Sequence, residues 1–296
     1  TMKTEQTKPK TYLSGITPSS SKGLHLGNYL GAVKPHVEFQ SKGKCFYFIA
    51  DYHALNYIQD KEIMKKNITE ILLDYLAIGL DPKKTTIFKQ SDMSENTEMA
   101  WIFDTLTTMP YLMRAHAFKD AEAKNKNISV GTFNYPMLMA ADILLYSPDV
   151  VPIGQDQKQH IEITRDIAAA FNNNYGKDVL TLPEAYIMDD VATVPGIDGR
   201  KMSKSYGNVV PLFVPPKQLR KQIMRIVTNS QQPEEPKDPD ADNIYNIYKH
   251  FASSEDLARV RKTYLEGGLA YGTMKQELFE LLRLCRAAQE VISYFS

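Results

Sequence analysis

The chain has 296 residues, enough for one large domain or two unequal ones, and its 43% hydrophobic and 24% charged content is that of an ordinary soluble globular protein. Lys+Arg and Asp+Glu balance at 35 each, so no global positive field points to nucleic acid, although a local basic patch would serve equally well. Cys45 and Cys285 lie far apart and neither sits in a Cys-x-x-Cys pair, which argues against a disulfide framework and excludes a thiolate zinc site by count. No apolar run reaches membrane-spanning length and no signal peptide is evident, so a cytoplasmic or organelle-matrix protein is expected.

The first ten residues, TMKTEQTKPK, have the composition of a flexible tail. TYLSGIT (11–17) predicts a short strand and PSSSKG (18–23) a loop of turn-formers. A helix is expected to begin near His25 and run through LGNYLGAV, with Pro35 breaking or kinking it. KCFYFIAD (44–51) is nearly continuously apolar, as in a strand buried on both faces of a parallel sheet. The next helix spans about 61–79, with Ile63, Ile68, Ile71, Leu72, Tyr75 and Leu76 on one stripe and Gly79 at its end. TTIFKQS (85–91) predicts a strand, and residues 96–109 and 135–146 predict helices. VVPIG (150–154) is a further short strand with a long helix directly behind it.

This alternation implies an α/β fold, a doubly wound parallel sheet with right-handed crossovers. Sites in such folds lie beyond the C-terminal ends of the strands, so residues 14–19, 51–53, 90–92 and 154–157 should gather on one rim. After Gly207 the character changes: PPKQLRKQIMRIV opens with proline, 231–243 is a polar, proline-rich connector, and the remainder has a helical period. A catalytic domain over 11–207 and a C-terminal helical domain over 208–296 are expected, without internal repeats.

Two motifs carry chemistry. His25-Leu26-Gly27-Asn28 follows a strand and a Ser-rich loop; its residues suit a phosphate cradle, or simply helix capping. Lys201-Met202-Ser203-Lys204-Ser205 lies in a glycine-flanked loop. Its lysines could neutralise charge on a pyrophosphate leaving group, or form a solvated basic loop. Together, a HIGH-like tetrapeptide and a KMSKS pentapeptide about 175 residues later resemble the paired signatures of class I aminoacyl-tRNA synthetases. The blocks Ser14-Gly15-Ile16, Ile49-Ala50-Asp51-Tyr52-His53, Leu80-Asp81-Pro82, 135–146 and 151–160 resemble the tryptophanyl branch.

The resemblance implies a Rossmann-like catalytic domain, a helical anticodon-binding domain and a homodimer. The implied reaction activates L-tryptophan with ATP and transfers it to tRNA(Trp). It implies ATP contacts at Thr17, Pro18, Ser19, His25, Gly27, Asn28, Gly154, Gln155, Asp156, Val191, Lys201, Met202, Ser203, Lys204 and Ser205, of which His25, Asn28, Lys201 and Lys204 serve catalysis. Mg²⁺ would be held through the phosphates, with no protein-ligated metal.

Indole N–H is a donor only, so a tryptophan pocket needs an acceptor. Asp142, the one charge in an apolar helical stretch, fits that need, or else marks the wet face of an amphipathic helix. The resemblance adds Gln157 and Tyr135 for the α-ammonium group, Met139, Val151, Ile153 and Leu13 as walls, and His53 at the edge. Departures from the family pattern are Thr17 where Gln is common, a loop before His25 about two residues longer than usual, and Gln155 for Glu. The chain also ends early for the family, so part of the C-terminal segment is expected to be missing. Rival readings are a tyrosyl-tRNA synthetase, a nucleotidylyltransferase that ignores tRNA, and a non-enzymatic RNA-binding relative.

Overall fold

The computed structural model describes residues 9–18, 24–123, 128–154, 157–187, 194–203 and 206–292, and the chain divides into two compact units. The first takes in the described residues of 1–21, 35–72 and 79–189; the second takes in those of 22–34, 73–78 and 190–296.

In chain order the strands are β1 (Lys10–Ile16), β2 (Gly43–Ile49), β3 (Thr85–Lys89), β4 (Val150–Ile153) and β5 (Glu184–Ile187). They form one parallel sheet in the order β3-β2-β1-β4-β5. The chain thus winds outward from β1 in both directions, and the switch point lies between β1 and β4, where doubly wound folds open a crevice. In β2 the run Tyr47, Phe48, Ile49 is buried throughout rather than alternately, as the continuous apolar sequence requires.

The helices of the first unit are α2 (Lys34–Phe39, from Pro35 on), α3 (Asp51–Ala54), α4 (Lys61–Ala77, up to Leu72), α5 (Glu95–Leu106), α6 (Met109–Leu112), α7 (His116–Ala123), α8 (Val130–Phe133), α9 (Tyr135–Leu144) and α10 (Lys158–Tyr175). The position of α9 decides the site. Met137, Ala140, Ala141 and Leu144 pack with Phe103 of α5 and Ile163 and Ile167 of α10, whereas Ile143 packs with Leu13, Phe48, Val151 and Ile153 of the sheet. Covered on both sides, α9 buries most of its length, and its alanines let the neighbouring helices approach closely. Each large side chain enclosed in this way contributes about 1.5–3 kcal/mol.

Several expected boundaries move for identifiable reasons. Pro35 does not end the N-terminal helical run; the run instead passes through a π turn at Tyr29–Val33, an irregularity directly before Pro35 that accommodates a residue without an N–H. The helix expected over 96–109 stops at Leu106, because Thr107 is extended and Pro110 starts α6. On α4, Ile71 and Tyr75 are buried as the stripe predicts, but Ile63 and Leu72 remain exposed. β5 and the short helices α3, α7 and α8 have no counterpart among the elements expected from the sequence.

In the second unit, α1 (Leu26–Asn28) precedes the π turn, and α11 (Pro216–Met224), α12 (Asn243–Tyr248), α13 (Ser254–Glu266) and α14 (Tyr271–Ile292) come later in the chain. The segment over 231–243, expected to be a plain connector, is pinned at two points. Lys237 is buried, and its ammonium donates to the carbonyls of Gln232 (2.6 Å), Pro233 (3.2 Å) and Glu235 (2.9 Å). Asp242 caps α12 through Ile244 N and Tyr245 N and also accepts from the Tyr264 hydroxyl at 2.8 Å. Gly267 makes this possible: its φ is +84°, and a Cβ there would lie 2.4 Å from the Glu234 carbonyl oxygen.

His36 is a buried liability in the first unit. Its ring stacks on Tyr47 at 4.7 Å, and neither ring nitrogen has a partner among the described residues. Burial lowers its pKa from 6.5 to about 3. The unfolded chain therefore takes up the proton first, and stability present above pH 6.5 is lost as pH falls toward 3. Between pH 6.5 and 4.5 the expected loss from this group is about 2–3 kcal/mol. His36→Phe should flatten that part of the stability–pH curve, read by urea denaturation at successive pH values.

Candidate active site

Parallel pairing places the C-terminal ends of β1, β2, β3 and β4 on one rim, and the loops there are stitched together by side chains. Asp51, at the start of α3, accepts from Ser91 N (2.9 Å) and from Ser91 Oγ (2.5 Å), tying the segment after β2 to the segment after β3. Gln90 reinforces the tie by accepting from Tyr52 N and His53 N through Oε1.

These loops surround one carboxylate. Asp142 is 1% exposed, so the reading of it as a wet-face residue is excluded. Gln90 Nε2 lies 2.7 Å from Asp142 Oδ1 and 2.8 Å from Oδ2, and His53 Nε2 lies 2.9 Å from Oδ2. Burial raises the Asp142 pKa, and the His53 and Gln90 hydrogen bonds pull it back only in part. His53 Nδ1 is buried without a partner among the described residues. The tautomer that puts the proton on Nε2, toward the carboxylate, therefore avoids a stranded donor.

Rings pack on His53, and an apolar cluster holds Ile143, the next residue after Asp142. The Tyr135 ring stands 4.6 Å from His53 and 5.3 Å from His160. Leu13, Val151 and Ile153 share one buried cluster, and Met139 packs against it. Gln157 sits at the N-cap of α10, one turn before His160, and its N–H donates to the carbonyl of half-buried Gly154. Thr17 and Pro18 follow β1, and the Pro18 carbonyl accepts from buried Asn67.

The second unit holds the two motifs. His25 and Asn28 form a reciprocal cap: Asn28 N donates to His25 Nδ1 and His25 N donates to Asn28 Oδ1, each at 3.3 Å. An accepting Nδ1 puts the ring proton on Nε2 when the imidazole is neutral. Residues 24–26 run antiparallel to 210–212, through Leu26 N to Val210 O and Leu212 N to Leu24 O, both 3.0 Å.

Met202 is buried, and its Sδ accepts from Gly27 N at 3.4 Å, so the two motifs touch. A Cβ on Gly27 would lie 3.1 Å from the His25 ring and 3.6 Å from Met202 Cβ, which leaves little room for any other residue. Lys201 is exposed at the end of a hairpin closed by Gly196 N to Arg200 O and Met202 N to Val194 O. Asn208 braces that hairpin: Oδ1 accepts from Ser203 N at 2.8 Å, and Nδ2 donates to Asp198 Oδ1 at 2.7 Å and Lys201 O at 3.1 Å.

The predicted residues thus form two groups. In the first unit His53 contacts both Asp142 and Tyr135, while Leu13, Val151 and Ile153 share a buried cluster with Ile143, the neighbour of Asp142, and Met139 packs on it; His25, Gly27, Asn28, Lys201, Met202 and Ser203 lie together in the second. Ser19, Gln155, Asp156, Val191, Lys204 and Ser205 lie outside the described residues. Gln90, His160 and Asn208 receive no role from the sequence. Their only signal is position, respectively at a strand end, one turn behind Gln157 and just past the lysine motif.

A family model described as tRNA synthetases class I (W and Y) matches residues 4–285. The chain belongs to this family. Among the synthetases it resembles, the tryptophan–tRNA ligase of Fusobacterium nucleatum is 50% identical over 269 residues, 91% of this chain and 82% of that protein. The tryptophan–tRNA ligase of Rhodopirellula baltica is 46% identical over 269 residues, 91% of this chain and 83% of that protein. The crystal structure of tryptophanyl-tRNA synthetase from Campylobacter jejuni, complexed with ADP and tryptophan, matches with a TM-score of 0.89 at 43% identity. That match covers 96% of this chain and 89% of the other.

In this synthetase the lysine loop rests on a fixed base, with Asn208 nearly fully enclosed. Asn208→Ala strands Ser203 N and the Lys201 carbonyl, and should cost about 2–4 kcal/mol by thermal or denaturant unfolding. Amide hydrogen exchange at Ser203 should accelerate in the same variant.

Proposed function

We infer that the chain is a tryptophan–tRNA ligase in which the Asp142 cluster reads the indole and the His25 and Lys201 segments handle the nucleotide. The observation that carries the reading is an enclosed carboxylate held by Gln90 and His53, with the His53 ring against Tyr135 and with Ile143, next to it on α9, packed into the cluster of Leu13, Val151 and Ile153. Such a carboxylate accepts one more donor, and the indole N–H is a donor only. Tyr135 and Gln157 then take the α-ammonium group, and Leu13, Met139, Val151 and Ile153 face the ring.

In the first step a carboxylate oxygen of tryptophan attacks the α-phosphorus of ATP in line. The bond to the pyrophosphate oxygen breaks, giving tryptophanyl-adenylate and pyrophosphate. No protein nucleophile is needed, so catalysis is positioning plus charge stabilisation. His25, through the proton on Nε2, and Asn28 contact the triphosphate beside Gly27. Thr17, Pro18, Ser19, Gly154, Gln155, Asp156, Val191, Met202, Ser203 and Ser205 line the nucleotide. Lys201 and Lys204 neutralise the departing pyrophosphate.

Mg²⁺ would be carried on the phosphate oxygens of the nucleotide and neutralise their charge there. In the second step a hydroxyl of the terminal adenosine of tRNA(Trp) attacks the adenylate carbonyl, releasing AMP. The helices from α11 onward form the anticodon-binding domain over 208–296, with Lys217, Arg220, Lys221 and Arg225 available to RNA phosphates. The enzyme works in the cytoplasm, where its product is consumed.

The test is ATP–pyrophosphate exchange without tRNA. Exchange is expected with tryptophan and not with tyrosine or phenylalanine; exchange with tyrosine would move the chain to the sister activity. Asp142→Ala should raise the tryptophan KM by about 10- to 100-fold, the worth of a hydrogen bond to a charged group, with the ATP KM unchanged. An unaltered tryptophan KM would remove Asp142 from the reading.

A homodimer is supported by apolar surface on the first unit. Trp101 of α5 is 72% exposed and Met109 of α6 is 66% exposed, with Ile102 and Met113 also open. Trp101→Glu should convert the dimer to a monomer, read by light scattering after gel filtration. A wild-type monomer at micromolar concentration would refute the assembly.

A further inference from the structure

Every polar atom of the Gln90 side chain is committed, although the reading above gives that residue no part in choosing the substrate. Gln90 is 0% exposed. Its Oε1 accepts from Tyr52 N at 3.0 Å and His53 N at 3.3 Å, and its Nε2 stands astride both oxygens of Asp142. Its own carbonyl is held by Met93 N and by the amide of buried Asn96, both at 3.2 Å.

This arrangement allows only one orientation of the amide. Flipping it would turn an oxygen toward a carboxylate and an NH₂ toward two backbone N–H groups, so all four contacts would become repulsive. Backbone donors therefore dictate that Gln90 presents its NH₂ to Asp142. His53 Nε2 engages Oδ2, so among the described residues Oδ1 receives Gln90 only and keeps capacity for one more donor.

We infer that Gln90 is a specificity-determining positioning residue: it locks the Asp142 carboxylate as an acceptor, so that an amino acid whose ring carries an N–H completes the site. The inference rests on Asp142 being the indole acceptor. An isosteric ring without the N–H, such as benzothiophene, would leave that oxygen buried and short of a donor, a loss that sites built around hydrogen bonds resist strongly. Burial favours the protonated form of Asp142, and this geometry opposes it, since its proton would face donors. The ionisable groups that act on the carboxylate are Asp51 and His53 of α3 and Tyr146 just after α9; Tyr135 of α9 packs on His53, and His160 of α10 packs on Tyr135.

The experiment compares kcat/KM for tryptophan and for β-(benzothiophen-3-yl)alanine in pyrophosphate exchange, using wild type, Gln90→Met and Gln90→Glu between pH 5.5 and 8. Wild type should prefer tryptophan, and Gln90→Met should reduce the preference by about tenfold or more while the ATP KM stays unchanged. Gln90→Glu should behave like Gln90→Met at pH 8 and regain preference as pH falls. Its neutral carboxyl can then accept the backbone N–H groups through one oxygen and donate to Asp142 through the other.

A merely structural residue would not produce that pH-dependent recovery. A Gln90→Met preference equal to wild type overturns the inference. Should Gln90→Met fail to fold, the Gln90→Glu profile decides alone, and a preference that does not change with pH overturns the donor role. Absence of any preference in wild type would instead refute the assignment of Asp142 itself, a result separable from failure of Gln90.

Discussion

A carboxylate almost sealed from water must be surrounded by donors, and the first unit is organised around that requirement. Leaving such a charge unpaired costs several kcal/mol, roughly, more than one well-packed helix turn can offset. The donors come from two other segments, Gln90 after β3 and His53 after β2, while Asp142 itself lies on the crossover helix between β3 and β4. Their meeting depends on register. β2 and β3 pair in parallel up to Ile49 and Lys89, so the residues immediately beyond, 50–53 and 90–92, emerge side by side. The Asp51–Ser91 bonds then hold the two loops at that spacing. Burial still raises the Asp142 pKa after these bonds are counted, so the carboxylate remains a net cost to the fold. A fold carries such a cost where a ligand uses it.

The second unit solves a different problem. In the proposed reaction a strongly hydrated pyrophosphate leaves on every turnover, so its partners would have to be charged, exposed and able to move. Lys201 meets that description, while the residues beside it are fixed: Met202 is buried against Gly27, and Asn208 binds both the Lys201 carbonyl and the Ser203 amide. The long lysine side chain is thereby free to move while the hairpin base that carries it is held in place. Gly199, at φ +82°, makes the tight turn that returns the chain toward Lys201.

How much was legible in the sequence depends on the range of each signal. Hydrophobic runs report burial locally, so β1 to β4, α9 and α10 fall within a few residues of expectation. β5 did not, because Glu184-Ala185-Tyr186-Ile187 is a four-residue strand with an exposed start, too short for a period to register. Segment 231–243 reads as a linker since proline and charge dominate it, yet Lys237 and Asp242 are buried through bonds that composition does not encode. The motifs were legible as strings of residue types. Gln90 was legible only as a rim position after β3, and Asn208 not at all, because a glutamine or asparagine reveals no role until its partners are known. For Gln90 the Asp142 partner lies 52 positions away.

His25 resolves a choice that the sequence left open. Capping and phosphate binding were alternatives for that residue, and the structure makes the cap: Nδ1 accepts from Asn28 N. The cap does not exclude the second role, because occupying Nδ1 as an acceptor fixes the neutral ring's proton on Nε2, the nitrogen a phosphate oxygen would need. Gln90 obeys the same logic in the other unit, where backbone N–H groups on Oε1 fix the NH₂ toward Asp142. In both units a backbone donor sets the polarity of a side chain that is otherwise ambivalent, and the functional direction comes from it. Substitutions that preserve size but lose that ambivalence, such as methionine for glutamine, therefore separate shape from polarity at these positions.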